Sequence, residues 1–174
     1  MDAIQNMLTR KSVKKYKPDP VSKELIEKIV EAGTYAPTGR NAQSPIILAV
    51  SNKQVRDELM KLNAQILGAE GSDPFYGAPV VLVVLAAKER NTRVYDGSSV
   101  MQNLQLAAHA LGLGACWIHR AKETFELPEG QAILKNLGIS GEYEGVGNCV
   151  VGYPADGYTP ESKPRKENWV YYVE

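Results

Sequence analysis

At 174 residues, 44% of them hydrophobic, the chain is long enough to bury one sizeable core and short enough to argue for a single domain. Its 20 Lys+Arg balance 20 Asp+Glu, which argues against an extended nucleic-acid surface, because duplex binders carry a basic stripe and an excess of positive charge. No apolar stretch reaches the roughly 18–20 residues of a membrane span and the N-terminus lacks a signal peptide's apolar segment, so a soluble cytoplasmic protein is expected, with neither a nucleic-acid nor a membrane partner.

Taken in chain order, helical and strand signals alternate without repeats. "DAIQNMLTR" predicts a short helix with Ile4, Met7 and Leu8 on one side. "SKELIEKIVEAGTYA" predicts a longer one: Ser22 can cap it, Leu25, Ile26, Ile29 and Val30 form its apolar stripe, and Pro37 ends it. "PIILAV" reads as a short strand, and "NKQVRDELMKLNAQIL" as a helix with Val55, Leu59, Leu62 and Ile66 on one face. "APVVLVVLAA", β-branched and apolar on both faces, belongs in the middle of a covered sheet. "GSSVMQNLQLAAHALGLG" is apolar over more than half its circumference, as a central buried helix would be, and Gly112 or Gly114 closes it. "ACWIH" and "NCVVGY" read as strands, with "EGQAILKNLG" a short helix between them. Cys116 and Cys149 lie in apolar runs without metal-ligand spacing and read as buried core thiols.

After Tyr153 the pattern dissolves into "PADGYTPESKPRKEN", 15 residues with three prolines, before "WVYYVE" reads as a last strand. A long structureless connection inside a compact domain is unusual. An arm that crosses a surface and adds its strand, with Trp169, Tyr171 and Tyr172, to a partner subunit's sheet fits it; a strand returning to its own sheet is the other reading.

Charge is concentrated near the start, where five of the eight positions from Arg10 to Lys17 are basic. "RKSVK" combines cationic groups, a hydroxyl and backbone amides at a helix end, the donor mixture that one phosphate dianion needs. A second basic triplet, "KPRK" with Lys163, Arg165 and Lys166, lies in the arm, and the two can converge. Each alone reads equally as a solvated face. No Walker A loop and no strand-to-helix GxGxxG is present, and "GVGNCVVG" reads as a turn signal. His109 and His119, the only histidines, sit in no metal-ligand or Ser-His-Asp arrangement. A phosphate site with few acid–base groups suits a protein whose cofactor carries the chemistry.

Four blocks together carry a more specific signal: "LTRKSVKKYKPDPVSKELIEKIVEAGTYAPTGRNAQSP", "YGAPVVLVV", "YDGSSVMQNLQLAAHALGLGACWI" and "VVGYP" with its trailing "KPRK". In order and spacing they resemble the FMN-dependent nitroreductase family over nearly the whole chain. That resemblance implies an α+β fold with a central mixed, mostly antiparallel sheet flanked by helices. Residues 1–153 would form the FMN-binding domain, with 154–174 an arm and final strand of the same domain, exchanged in a homodimer with two FMN sites at the subunit interface.

By position, the resemblance implies that Arg10, Lys11 and Ser12 hold the FMN phosphate with Lys163 and Arg165, while Lys14 lies near the flavin N1 and C2 carbonyl. Asn63 would bind the pyrimidine edge, and Pro37, Thr38 and Asn41 would line the same flavin from the other subunit. Trp117, Ile118 and His119 would cross one ring face, offering a backbone N–H toward N5. No side chain need be catalytic and no metal is implied: NAD(P)H reduces the flavin, leaves, and a flat electron-poor acceptor such as a nitroaromatic or quinone replaces it. A flavin carrier or sensor without turnover is the alternative.

Three departures from the family pattern stand out. Ser44 separates Gln43 from Pro45, so the entry to the first strand differs. Arg120 stands where many relatives have glycine, beside the flavin segment, and either favours an anionic substrate or points outward. The chain is also short, which leaves "GAEGSDPFYG", residues 68–77, as the candidate mobile wall with Phe75 or Tyr76 to stack on substrate; an ordinary turn-rich connection is the other reading.

Overall fold

The valine-rich segment expected at the sheet centre is there. In the structure, a computed structural model that describes residues 2–174, it forms β2 (Val80–Ala87), flanked by β1 (Pro45–Val50) and β4 (Tyr143–Gly152), with β3 (Gly114–Ile118) beyond β4. The strand order is β1-β2-β4-β3 and every neighbouring pair is antiparallel. The expected mixed character reduces to a single parallel bridge, Ser12 to Ala115, because residue 12 runs beside β3 for too short a distance to build a ladder.

Alternation along β2 sends side chains into two cores. On one face Val80, Leu82 and Val84 pack with Ile29, Met101 and Leu104 from α2 (Lys23–Thr34) and α4 (Arg93–Ala110). On the other, Val81, Val83 and Leu85 meet Leu59 of α3 (Lys53–Leu67), Phe125 of α5 (Ala121–Glu126) and Ile133 and Leu134 of α6 (Pro128–Asn136). Cys116 joins the second core and Cys149 the first, so the two thiols face opposite sides of the sheet. No helix among the described residues is long and apolar enough to cross a membrane.

Helix starts follow from their caps. Ser22 Oγ accepts from the amide of Leu25 at 3.3 Å, and Asn52 Oδ1 from that of Val55 at 3.1 Å, each satisfying a first-turn donor. α1 (Ala3–Thr9) begins at Asp2 in the same way, yet it buries none of its residues, leaving Ile4, Met7 and Leu8 exposed.

Three elements differ from the sequence reading. α4 starts four residues before Gly97, and α5 is an additional short helix with too few apolar positions to show a period. β4 starts at Tyr143 rather than near Asn148, its first half being disguised by two glycines. Both glycines are required by packing. A Cβ on Gly145 would lie 2.2 Å from the Ala121 carbonyl oxygen, and one on Gly147 would lie 2.5 Å from Trp117 Nε1. Between them, β4 carries one extra residue, Val146, where the register against β2 shifts.

The expected last strand does not form within the chain. Residues 169–174 have no ladder partner among the described residues, and from Trp169 to Val173 the side chains are 57–97% exposed. Only the beginning of the arm is fixed: the amide of Lys17 donates to the Tyr153 carbonyl, that of Ala155 to Lys15, and Lys17 pairs with Asp156.

Gly145→Ala should destabilise the fold by about 1–3 kcal/mol, because the added methyl meets backbone that cannot rotate away; urea unfolding measures it, and a change below about 0.5 kcal/mol would contradict the contact. Burial pushes both cysteine thiols above their ordinary pKa, Cys149 most strongly. Both should therefore resist a thiol-specific disulfide reagent at pH 8 in the native protein and react once it is unfolded in guanidinium.

Candidate functional site

The basic stretch leaves α1 at Arg10 and runs extended against the start of β3. The amide of Val13 donates to the Ala115 carbonyl at 3.0 Å and Tyr16 Oη donates to the Val13 carbonyl at 2.7 Å. Buried Val13 packs against Gly114, where a Cβ would come within 2.7 Å of it. With Val13 as the anchor, Arg10, Ser12 and Lys14 gather around Cys116: burial raises that thiol's pKa, and the Ser12 hydroxyl, Lys14 and Arg10 each pull it back down. Arg10 also donates to Gln105 Oε1 at 3.4 Å, and its charge adds to burial in holding the His109 imidazole below its ordinary pKa. Lys14 Nζ lies 5.9 Å from the centre of the Tyr76 ring.

Among the described residues, none of Arg10, Lys11 and Lys14 is in an ion pair. The neighbouring lysines are differently placed. Lys15 lies over Tyr158 and Lys17 is paired with Asp156, so both tie down the arm. Lys163 and Arg165 are exposed; Arg165 donates to the Lys163 carbonyl, and no hydrogen bond or ion pair among the described residues joins either to the Arg10 group.

A second cluster closes the other end of β3. Asn63, fully buried on α3, donates from Nδ2 to the His119 carbonyl at 2.9 Å and accepts at Oδ1 from Arg120 Nε at 3.0 Å. Buried Asn148 of β4 donates to the same carbonyl at 3.3 Å. Trp117 is half-buried, Ile118 is buried and His119 is exposed, and the chain then turns through Arg120 at φ 73°, a left-handed conformation uncommon outside glycine.

The loop after α2 holds Pro37, Thr38 and Asn41, with Arg40, Asn41 and Gln43 all at positive φ. Its shape is imposed by buried Asp96 near the start of α4, which accepts from the amide of Gly39 at 2.9 Å and from Thr92 Oγ1 at 2.8 Å. Thr38 Oγ1 accepts from the Gln43 amide. Asp96 and Gln105, which anchor this loop and Arg10, are nine residues apart on α4, about 14 Å along its axis. The single chain thus keeps the two groups of expected site residues at separate places.

Residues 68–77 form a turn-rich connection tied by hydrogen bonds, the second of the two readings. Arg56, itself buried, donates from Nε to the Ala78 carbonyl at 3.0 Å and pairs with Asp73 at 2.6 Å; Asp73 in turn accepts from the amides of Phe75 and Gly77. Phe75 is 1% exposed inside the second core, which removes it as a stacking residue, and only Tyr76 is left at the surface. The sequence reading passed over Asp96, Gln105, Asn148 and Arg56. Gln105 and Asn148 are polar residues inside apolar segments, and that incongruity is the signal that marks them; Asp96, in "RVYDGSS", has none.

The Nitroreductase family profile matches residues 7–153. A Methanothermobacter thermautotrophicus protein, provisionally described as an NADH dehydrogenase/NAD(P)H nitroreductase, is 30% identical over 142 residues, 74% of this chain and 71% of its own. A Bacteroides fragilis nitroreductase solved with bound FMN superposes with a TM-score of 0.91 over 100% of both chains at 26% identity. A Desulfitobacterium hafniense nitroreductase, also with bound FMN, gives 0.86 over 100% of both at 25% identity. The chain therefore belongs to the Nitroreductase family.

Proposed function

We propose that the chain is one subunit of a homodimeric FMN-dependent NAD(P)H oxidoreductase acting on flat, electron-poor acceptors such as nitroaromatics and quinones. The observation that carries this reading is the gathering of Arg10, Ser12 and Lys14 around Cys116 with no ion pair to Arg10 or Lys14 among the described residues. Uncompensated cationic donors beside a hydroxyl suit a phosphate dianion next to an electron-rich ring. The full-length likeness to FMN-bound relatives supports the choice of FMN.

When bound, FMN supplies the two-electron chemistry, taking hydride from NAD(P)H and giving it to the acceptor. The protein's part is to hold and to polarise. Arg10, Lys11 and Ser12 bind the phosphate, joined by Lys163 and Arg165 of the arm. Lys14 places an ammonium at the N1 and C2-carbonyl side, favouring negative charge there. Asn63 has one amide donor left after its bond to His119 for the pyrimidine edge. Asn63 and Asn148 hold the His119 carbonyl, so Trp117, Ile118 and His119 would line one ring face and offer a main-chain N–H rather than a side chain toward N5.

Pro37, Thr38 and Asn41 serve the partner's flavin in this proposal, which accounts for their distance along α4 from the Arg10 group. The arm, residues 154–174, supplies the link. Among the described residues β1 has no strand on its outer edge, and beside it runs a groove of about 550 Å³ between α3 and α6, lined by Val55, Ile133 and Leu137 among others. An unpaired edge invites a further strand. The partner's residues 169–174 bring the aromatic side chains that such a groove can cover, and the exposed apolar side chains of α1 supply more surface to bury.

Purified protein should carry FMN whose absorbance NADH or NADPH bleaches anaerobically; flavin retained but not bleached would indicate a carrier or sensor instead. Arg10→Ala and Arg165→Ala should each weaken FMN binding about tenfold or more, the loss of a charge-assisted hydrogen bond worth about 1.5–3 kcal/mol. Stoichiometric FMN in both would refute the phosphate assignment. In light scattering after size exclusion the full chain should run as a dimer at micromolar concentration, and a chain ending at Tyr158 should lose both dimer and flavin. A full-length monomer would refute the exchanged arm.

A further inference from the structure

We propose that Arg120 is a positioning residue of the flavin site that also raises the flavin's reduction potential; the inference rests on the FMN reading above. Arg120 is held at φ 73° and ψ 14°, where glycine sits without strain and a Cβ-bearing residue does not. An arginine kept in that conformation is held there by its surroundings. Its carbonyl accepts from the amide of Thr124 at 3.0 Å and from Thr124 Oγ1 at 2.8 Å, and its Nε donates to Asn63 Oδ1 at 3.0 Å. Asn63 also donates to the His119 carbonyl, so one buried amide ties the side chain of Arg120 to the backbone of the preceding residue. Arg120 therefore sets where the segment Trp117–His119 lies.

The charge is unspent. Arg120 is half-buried and joins no ion pair among the described residues, so one of its five N–H donors is used and the rest of the fork is free. Glu123, one turn further along α5, forms no ion pair with it among the described residues. Lys122 is exposed. Lys14 acts at Cys116 in the middle of β3, and Arg120 stands four residues further along, just beyond the end of the strand.

Hydride transfer from NAD(P)H breaks one C–H bond of the nicotinamide and forms one N–H bond on the flavin. NAD(P)⁺ leaves, and the ring keeps two electrons and one proton, a net gain of one negative charge. A guanidinium fixed beside Asn63 in a partly buried site favours that charged state over the neutral oxidised one. The equilibrium shifts toward reduced flavin.

The test is the flavin midpoint potential of the holoprotein, wild type against Arg120→Gly, Arg120→Gln and Arg120→Lys, by equilibration with a reference dye. Glycine suits the backbone, which offsets part of the cost of the hydrogen bond that buried Asn63 loses, so Arg120→Gly should still fold and bind FMN. At a fixed redox poise its ratio of reduced to oxidised flavin should fall about tenfold, which for two electrons is about 30 mV. Arg120→Gln should fall equally, and Arg120→Lys should stay within about threefold of wild type, since a charge effect survives loss of the fork. Wild-type protein that binds FMN and is bleached by NADPH, but whose Gly and Gln variants keep the ratio within twofold, would overturn this inference and leave the FMN reading intact. So would a Lys variant that falls as far as Gln, because the effect would then belong to the turn and not to the charge. Wild-type protein that binds no FMN would overturn both.

Discussion

The rest of the molecule depends on β2 being buried on both faces and hydrogen-bonded along both edges. A strand of that kind needs helices above and below it and a neighbour on each side, so α2 and α4 cover one face and α3, α5 and α6 the other. The register of β4 against β2 then sets where β3 ends. β4 brings Asn148 under the His119 carbonyl and, through Gly145 and Gly147, lets α5 and Trp117 approach the sheet to backbone distance. The exit from β3 is accordingly held from several sides, with hydrogen bonds arriving from α3 and β4 and from within α5.

The same sheet leaves a debt at its other side. β1 has one bonded edge and one bare one, while an aromatic segment at the end of the chain has nothing to pair with. α4 meanwhile holds the Arg10 group toward its C-terminal half and the Pro37–Asn41 loop toward its start. In the proposed dimer these separate facts have one cause, since the strand that fills the edge also carries Lys163 and Arg165, and the loop of one subunit meets the flavin of the other. Three residues at positive φ, held by Asp96, then give a loop shaped before it meets anything.

Much of this was legible in the sequence, where the residue pattern is dictated by local geometry. β1 and α3 fall where apolar runs and the capping side chain of Asn52 put them, and β2 is identified by β-branched residues alone. The start of β4 was hidden because Gly145 and Gly147 answer to the closeness of α5 and Trp117, which the strand's own sequence does not encode. Phe75 looked like a residue available to substrate because its neighbours are turn formers; the fork of Arg56, 17 residues before Asp73, is what folds that loop inward. The terminal segment reads as a strand and is none in the single chain, because a strand needs an edge to join and residues 169–174 lie on none. The candidate site was legible as residue types, through family resemblance above all, but the bracket of Asn63, Asn148 and Arg120 is tertiary and has no local signature.

The central claim, that each flavin is built by the Arg10 group of one chain and the Pro37–Asn41 loop of the other, is tested most directly by subunit complementation. An Arg10→Ala chain and a Thr38→Ala/Asn41→Ala chain, each too weak to retain FMN as a homodimer, are co-expressed with different tags and the heterodimer is isolated. One of its two sites then combines both defects and the other has none, so FMN should return to half occupancy. A heterodimer as empty as its parents would contradict the account, because it would mean that both groups belong to one chain's site.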